Sequence, residues 1–147
     1  MSKKEEAVSS FSGNFNCAQS IFSAFAPELD LDRRVALMIA TPFGGGIAHL
    51  GEVCGAVTGA MLVVGLKHGM FKDEDLAAKE RAYATAQRFA ERFKSKHGSL
   101  ICRELIGHDL STPEGYEKAK EEDVFNTQCT KFVSDAVEIL EAIIKFD

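Results

Sequence analysis

The sequence predicts an all-α protein, a compact multi-helix bundle of about five to seven helices. Apolar residues recur at spacings of three and four in segment after segment, and no stretch shows the alternation of a half-buried strand. Glycine and proline punctuate these segments at short intervals, which favours antiparallel neighbours joined by short loops. The 147 residues suffice for a single helical domain, 1–147, with its own core.

Residues 1–12 form a polar start and are expected as a loosely attached N-terminal segment. Asn14 or Asn16 is placed to cap a helix carrying Ile21, Phe22 and Phe25, which Pro27 ends or kinks. A second helix follows Asp30, with Leu31, Val35, Met38 and Ile39 expected inward and Arg33 and Arg34 outward. Thr41-Pro42 closes it. Gly44-Gly45-Gly46 then gives a loop of unusual backbone freedom. A third helix begins around Gly51 to Val53 and runs to Lys67-His68, with Gly69 as its stop. It is apolar on nearly every face and therefore belongs at the centre of the bundle. Gly55 and Gly59 share one of its faces, so another helix can approach closely there, or a partner or cofactor can reach Cys54.

Asp73 or Asp75 starts a long polar helix through about Lys96, with Leu76, Tyr83, Phe89 and Phe93 as its apolar side and Gly98 as its end. Ser99 is placed to cap a short helix bearing Ile101, Cys102, Leu105 and Ile106, stopped by Gly107. The polar stretch 108–123 reads as loop plus a short helix. A last helix from about Asn126 carries Cys129, Phe132, Val133, Ala136, Val137, Leu140 and Ile144 at helical spacing. Phe11, Phe15, Phe22, Phe25 and Phe43 read as core, and any left exposed would mark a homodimer surface.

Composition narrows the functional classes. A net charge of −5, with Arg33-Arg34 flanked by Asp30 and Asp32, gives no basic face for nucleic acid. The most apolar segment, Ala56 to Leu66, is far shorter than the roughly 20 residues of a membrane span, so no membrane insertion is expected. Met1 to Glu6 lacks the apolar core of a signal peptide, which points to a cytoplasmic location where ordinary thiols stay reduced. The glycines at 44–46 lack the Lys-Ser/Thr of a phosphate-binding loop, and Glu121-Glu122-Asp123 reads as a solvated helix end. His68, His97 and His108 read as caps or surface residues.

The remaining chemistry lies in Cys17, Cys54, Cys102 and Cys129. No two form the Cys-x-x-Cys pair of a zinc ribbon or thioredoxin-like site, so joint action requires the fold to gather them. Cys54 and Cys17 are expected in the first turns of their helices, where free amides and the helix dipole favour a thiolate. His49 would add charge or a second ligand if the glycine loop folds back. Buried cysteine is also an ordinary small core residue, and Cys102 and Cys129 sit among apolar neighbours.

The order Cys17, then Cys54-Gly55-Ala56-Val57-Thr58-Gly59, then Cys102, then Cys129 resembles the redox-active C_GCAxxG_C_C family, from about Asn16 to Ala142. In this chain the central cysteine precedes the glycine, the reverse of the family label. The resemblance implies a four-cysteine redox or metal site, with all four cysteines as catalytic or ligating candidates. In thiol–disulfide exchange with a redox partner protein, Cys54 would attack and Cys17, Cys102 or Cys129 would resolve. As a metal centre, the four thiolates, with His49 as a further ligand, would suit zinc or an iron–sulfur cluster. The competing reading is a non-enzymatic helical interaction or dimerisation module, such as a transporter accessory, with inert structural cysteines.

Overall fold

The computed structural model describes residues 1–146. Among them eight α-helices follow in order: α1 (Lys3–Ser12), α2 (Cys17–Phe25), α3 (Arg33–Ala40), α4 (Gly55–His68), α5 (Leu76–His97), α6 (Cys102–Ile106), α7 (Pro113–Glu121) and α8 (Thr130–Ile143). Short 3-10 turns at Ala26–Leu29 and Thr41–Phe43 follow α2 and α3, and a π-helical turn, Phe125–Cys129, runs directly into α8. The β structure among these residues is one isolated antiparallel bridge, Val53–Ile101. The all-α architecture is as expected, with one helix beyond the predicted range.

The additional helix is α1. Ser2 Oγ caps it by accepting from the Glu5 amide at 3.1 Å, and Ala7 is fully buried against the rest of the fold. Lys3 pairs with Glu28 at 2.8 Å and Lys4 with Glu138 at 3.0 Å, placing α1 over α2 and α8. Its inward face is carried by Ala7, Val8 and Phe11 within a run of Lys, Glu and Ser, too thin a stripe to read as helical periodicity.

The core forms where α2, α4 and α8 meet. Asn16 starts α2 through a reciprocal cap: its Oδ1 accepts from the Gln19 amide at 2.8 Å, while Gln19 Oε1 accepts from the Asn16 amide at 3.0 Å. Ala18, Ile21, Phe22 and Phe25 of α2 are buried, and each large side chain contributes about 1.5–3 kcal/mol through burial. α4 is central as expected and packs on α2, α5 and α8. Its Gly55–Gly59 face is the contact with α2: a Cβ on Gly59 would stand 2.8 Å from Ala18 Cα. The two backbones thus meet without side chains between them. α8 buries the whole predicted stripe, from Cys129 through Phe132 and Val133 to Ile144.

Three expectations are corrected. In α3 the inward residues are Ala36 and Ala40, both fully buried, whereas Val35, Met38 and Ile39 are exposed. The helix packs close to α2 through its alanines, and a hydrogen bond from Gln19 Nε2 to Leu37 O at 3.0 Å fixes that face. In α5 only Phe89 and Phe93 of the expected stripe are buried; Leu76 and Tyr83 are exposed, because the first half of this helix buries only Ala78 and Thr85. His97 is neither cap nor surface residue. Its ring packs against Phe93 and Phe132, with Nε2 3.0 Å from Asp135 Oδ2 but off the direction a hydrogen bond needs.

Candidate functional site: a four-cysteine cavity

Cys17, Cys54, Cys102 and Cys129 line a single cavity of about 330 Å³. Each arrives from a separate helix start. Cys17 is the first residue of α2, Cys54 is the N-cap of α4, Cys102 opens α6, and Cys129 closes the π turn before α8. Cys54, Cys102 and Cys129 are buried and Cys17 is half-buried; all four are free thiols. Residues dispersed along the sequence are gathered as the cysteine reading required.

The glycine loop is the frame of this cavity. A Cβ on Gly44 would lie 2.5 Å from Asn16 Nδ2, one on Gly45 would collide with the His49 ring, and one on Gly46 would lie 2.7 Å from Cys102 Cβ. Three successive glycines therefore leave room for three successive cavity groups. Gly45 and Gly46 are left-handed, and the conformation continues through Ile47, Ala48 and His49, with φ of 67°, 50° and 63°. A left-handed L-residue costs about 1–2 kcal/mol, and Ile47 is β-branched. The turn is held by backbone hydrogen bonds, among them Ala48 N–H to Pro42 O and Glu52 N–H to Gly46 O, both 2.8 Å. It brings His49 to the cavity, where the ring stands 5.1 Å from that of Tyr116.

A second device joins Cys54 to Cys102. Around the Val53–Ile101 bridge, the Cys54 amide donates to Leu100 O at 2.8 Å and the Cys102 amide to Glu52 O at 2.6 Å. The two cysteines are diagonal neighbours on the face opposite Val53 and Ile101. In a regular antiparallel pair such positions stand about 7–8 Å apart, wider than the roughly 4.4–6.8 Å between Cα atoms that a disulfide accepts. Arg103 Nη1 fastens this corner by donating to Gly51 O at 3.0 Å and Glu52 Oε1 at 3.3 Å.

Ionisation divides the four thiols. Burial pushes Cys54 up to about 12; the Ala56 and Val57 amides at the start of α4 pull the other way but do not overcome it. Burial also pushes Cys102 up to about 12, aided by Cys129 and only partly offset by Arg103. Cys17 and Cys129 interact directly. The Cys17 thiol donates toward the Cys129 sulfur, which lowers Cys129 against its burial and holds Cys17 well above the ordinary thiol value. Each thiol thus acts on the other's ionisation, easing that of Cys129 and opposing that of Cys17. At Cys54 desolvation outweighs the helix start and favours the thiol over the thiolate expected there.

Among the described residues, no three His, Cys, Asp or Glu side chains are arranged as a set fit to hold a metal ion. The four sulfurs line one cavity without forming a ligand set that fits zinc or an iron–sulfur cluster.

Fold and site together define a helical thiol protein, with a coupled cysteine pair and two further thiols around one cavity. The chain belongs to the C_GCAxxG_C_C family, described as "putative redox-active protein", whose profile matches residues 15–143. No curated protein and no solved structure matches the chain. Where the family label reads Gly-Cys, this chain reads Cys54-Gly55. A Cβ on Gly55 would stand 3.1 Å from Cys17 Cβ, so the reversal moves a cysteine from a position against Cys17 to the helix cap beside it.

Of the candidate residues named from sequence, the four cysteines and His49 all reach the cavity. Asn126, Tyr116 and Phe125 also line the cavity, and no local sequence spacing marks them. The Tyr116 and Phe125 rings, from α7 and the π turn, lie tilted with centroids 5.8 Å apart. Asn16 both caps α2 and occupies the space beside Gly44. No helix of the described residues is long and apolar enough to cross a membrane.

Proposed function

We propose that the protein performs thiol–disulfide redox chemistry, with Cys17 and Cys129 as the reacting pair. The observation that carries this reading is the gathering of all four cysteines around one cavity, in which Cys17 and Cys129 act on each other's ionisation. Cys129 is the attacking thiolate, since its charge is favoured by the neighbouring thiol, and Cys17 resolves the mixed disulfide. Cys54 and Cys102, protonated at neutral pH, serve as reserve thiols that can take up the bridge by exchange.

Peptide mapping after controlled oxidation tests this reading. A Cys17–Cys129 disulfide forming first is the expected result; no intramolecular disulfide, or one elsewhere, overturns it. Anaerobically purified protein with absorbance near 400 nm, or with one zinc per chain, would return the assignment to a metal centre.

A further inference from the structure

The cavity wall has a property that thiol chemistry alone does not require. Although 27% of the chain is charged, no Asp, Glu, Lys or Arg lines the cavity among the described residues. Beside the cysteines, its wall holds the rings of Phe15, Tyr116, Phe125 and Phe132, the His49 imidazole and the amides of Asn14 and Asn126. Arg103 and Asp109 act on Cys102 with opposite sign, and the Arg33 guanidinium and Lys120 ammonium stand 5.6 and 5.9 Å from the Phe15 and Tyr116 ring centroids. Three of the four thiols are buried, so a sulfur on the surface of another folded protein would meet the rim before it met them.

We propose that the protein exchanges electrons with a small uncharged disulfide that enters this cavity, and not with a docked protein disulfide. The proposal rests on the thiol–disulfide reading above. A cavity of about 330 Å³ lies at the lower end of the range of small-molecule sites. Aromatic rings make favourable contacts with soft sulfur, and the asparagine amides supply hydrogen bonds to neutral polar ends. A charged ligand would leave water for a wall without Asp, Glu, Lys or Arg, a desolvation that the Cys129 thiolate, His49 and the cations beside Phe15 and Tyr116 offset less fully than a direct ion pair would.

The chemistry balances. The Cys129 thiolate attacks one sulfur of R–S–S–R; the S–S bond breaks, and the leaving thiolate takes up a proton as R–SH. Cys17, deprotonated as it attacks, then displaces the second R–S⁻ from Cys129, which also leaves as R–SH. Two cysteine thiols and one R–S–S–R become one Cys17–Cys129 disulfide and two R–SH. Two electrons pass to the small molecule, and the two protons come from the two cysteines.

The test uses reduced full-length protein and probes of similar size and different charge: neutral bis(2-hydroxyethyl) disulfide, cationic cystamine and anionic dithiodiglycolate. Oxidised protein disulfide isomerase supplies the protein arm. Each rate of Cys17–Cys129 disulfide formation is divided by the rate of the same probe with N-acetylcysteine amide. High salt suppresses steering by the net charge of −5. The neutral probe is expected to lead every other arm by about tenfold or more, which corresponds to roughly 1.4 kcal/mol. Asn14→Asp, which places a carboxylate on the wall, should raise the cystamine-to-neutral ratio several-fold. Normalised rates within twofold of one another, or a leading rate for the protein disulfide, overturn the proposal while leaving the thiol reading intact. Failure of every oxidant to form the Cys17–Cys129 bond overturns the thiol reading itself.

Discussion

The two pairs of cysteines around the cavity carry the same functional group in different settings. Cys17 and Cys129, from the start of α2 and the π turn, act on each other's ionisation. Cys54 and Cys102 are tied together through the backbone of the Val53–Ile101 bridge, and their sulfurs remain desolvated and protonated. A helix N-terminus is thus not enough to make a thiolate. Cys54 caps α4 and Cys102 opens α6, yet burial governs both, whereas Cys129, inside a continuous helix, is eased by one neighbouring proton donor.

The sharpest way to break this contrast is to remove sulfurs one at a time. Cys17→Ser and Cys129→Ser should each slow intramolecular disulfide formation by about 100-fold or more, because the resolving partner is lost from its preplaced position. Cys54→Ser and Cys102→Ser should leave that rate within a small factor. Quenched alkylation followed by mass spectrometry reads all four, and the reverse ranking would exchange the roles of the two pairs.

Ionisation under alkaline conditions sets Cys129 apart by sign. Cys54 and Cys102 titrate near 12 in the folded protein, so they keep their protons while the unfolded chain loses its own. Their contribution is present in full below the ordinary thiol range and is lost as pH rises from there toward 12. The loss is about 1.4 kcal/mol per pH unit for each thiol. The Cys54→Ser/Cys102→Ser double variant should show a shallower fall in its urea midpoint between pH 9 and 11. Cys129 bends the other way: its reaction with iodoacetamide should rise at a lower pH than that of an ordinary thiol. Coincident pH profiles for all four cysteines would remove the distinction of Cys129 from the other three.

Smaller effects come from α4, which packs on α2 beside Cys17. Gly59→Ala drives a Cβ into Ala18 beside Cys17, and should lower stability by about 1–3 kcal/mol through overpacking. Gly65→Ala, on the same helix, meets nothing within 4 Å and should raise stability by about 0.5–1 kcal/mol. Urea unfolding of both variants reads the difference. A shared sign would mean that the α2–α4 contact does not set the spacing of the cysteines.

The sequence carried the helices whose signals are local and strong. Asn16, Asp75, Gly98 and Gly107 stand where the caps and stops were expected, and the α8 stripe buries residue for residue. It misled where small side chains outcompete large ones. Ala36 and Ala40 turn α3 toward α2 because a close backbone approach satisfies Gln19, an interaction between segments that periodicity does not register. For the site, membership of the cysteine set was legible from its order along the chain. Pairing was not, since Cys17 meets Cys129 only through the packing of α2 against α8. Nor could three glycines announce that the next three residues would stay left-handed.

That left-handed turn also bears on how the protein can be made sturdier. Ile47, Ala48 and His49 hold a conformation that glycine adopts without cost, and they hold it at the edge of the cavity where the chain reverses between α3 and α4. The segment is a reservoir of conformational energy, balanced by a handful of backbone hydrogen bonds. Thermal resistance can therefore be sought at Ala48, by easing one backbone angle while every sulfur stays where it is.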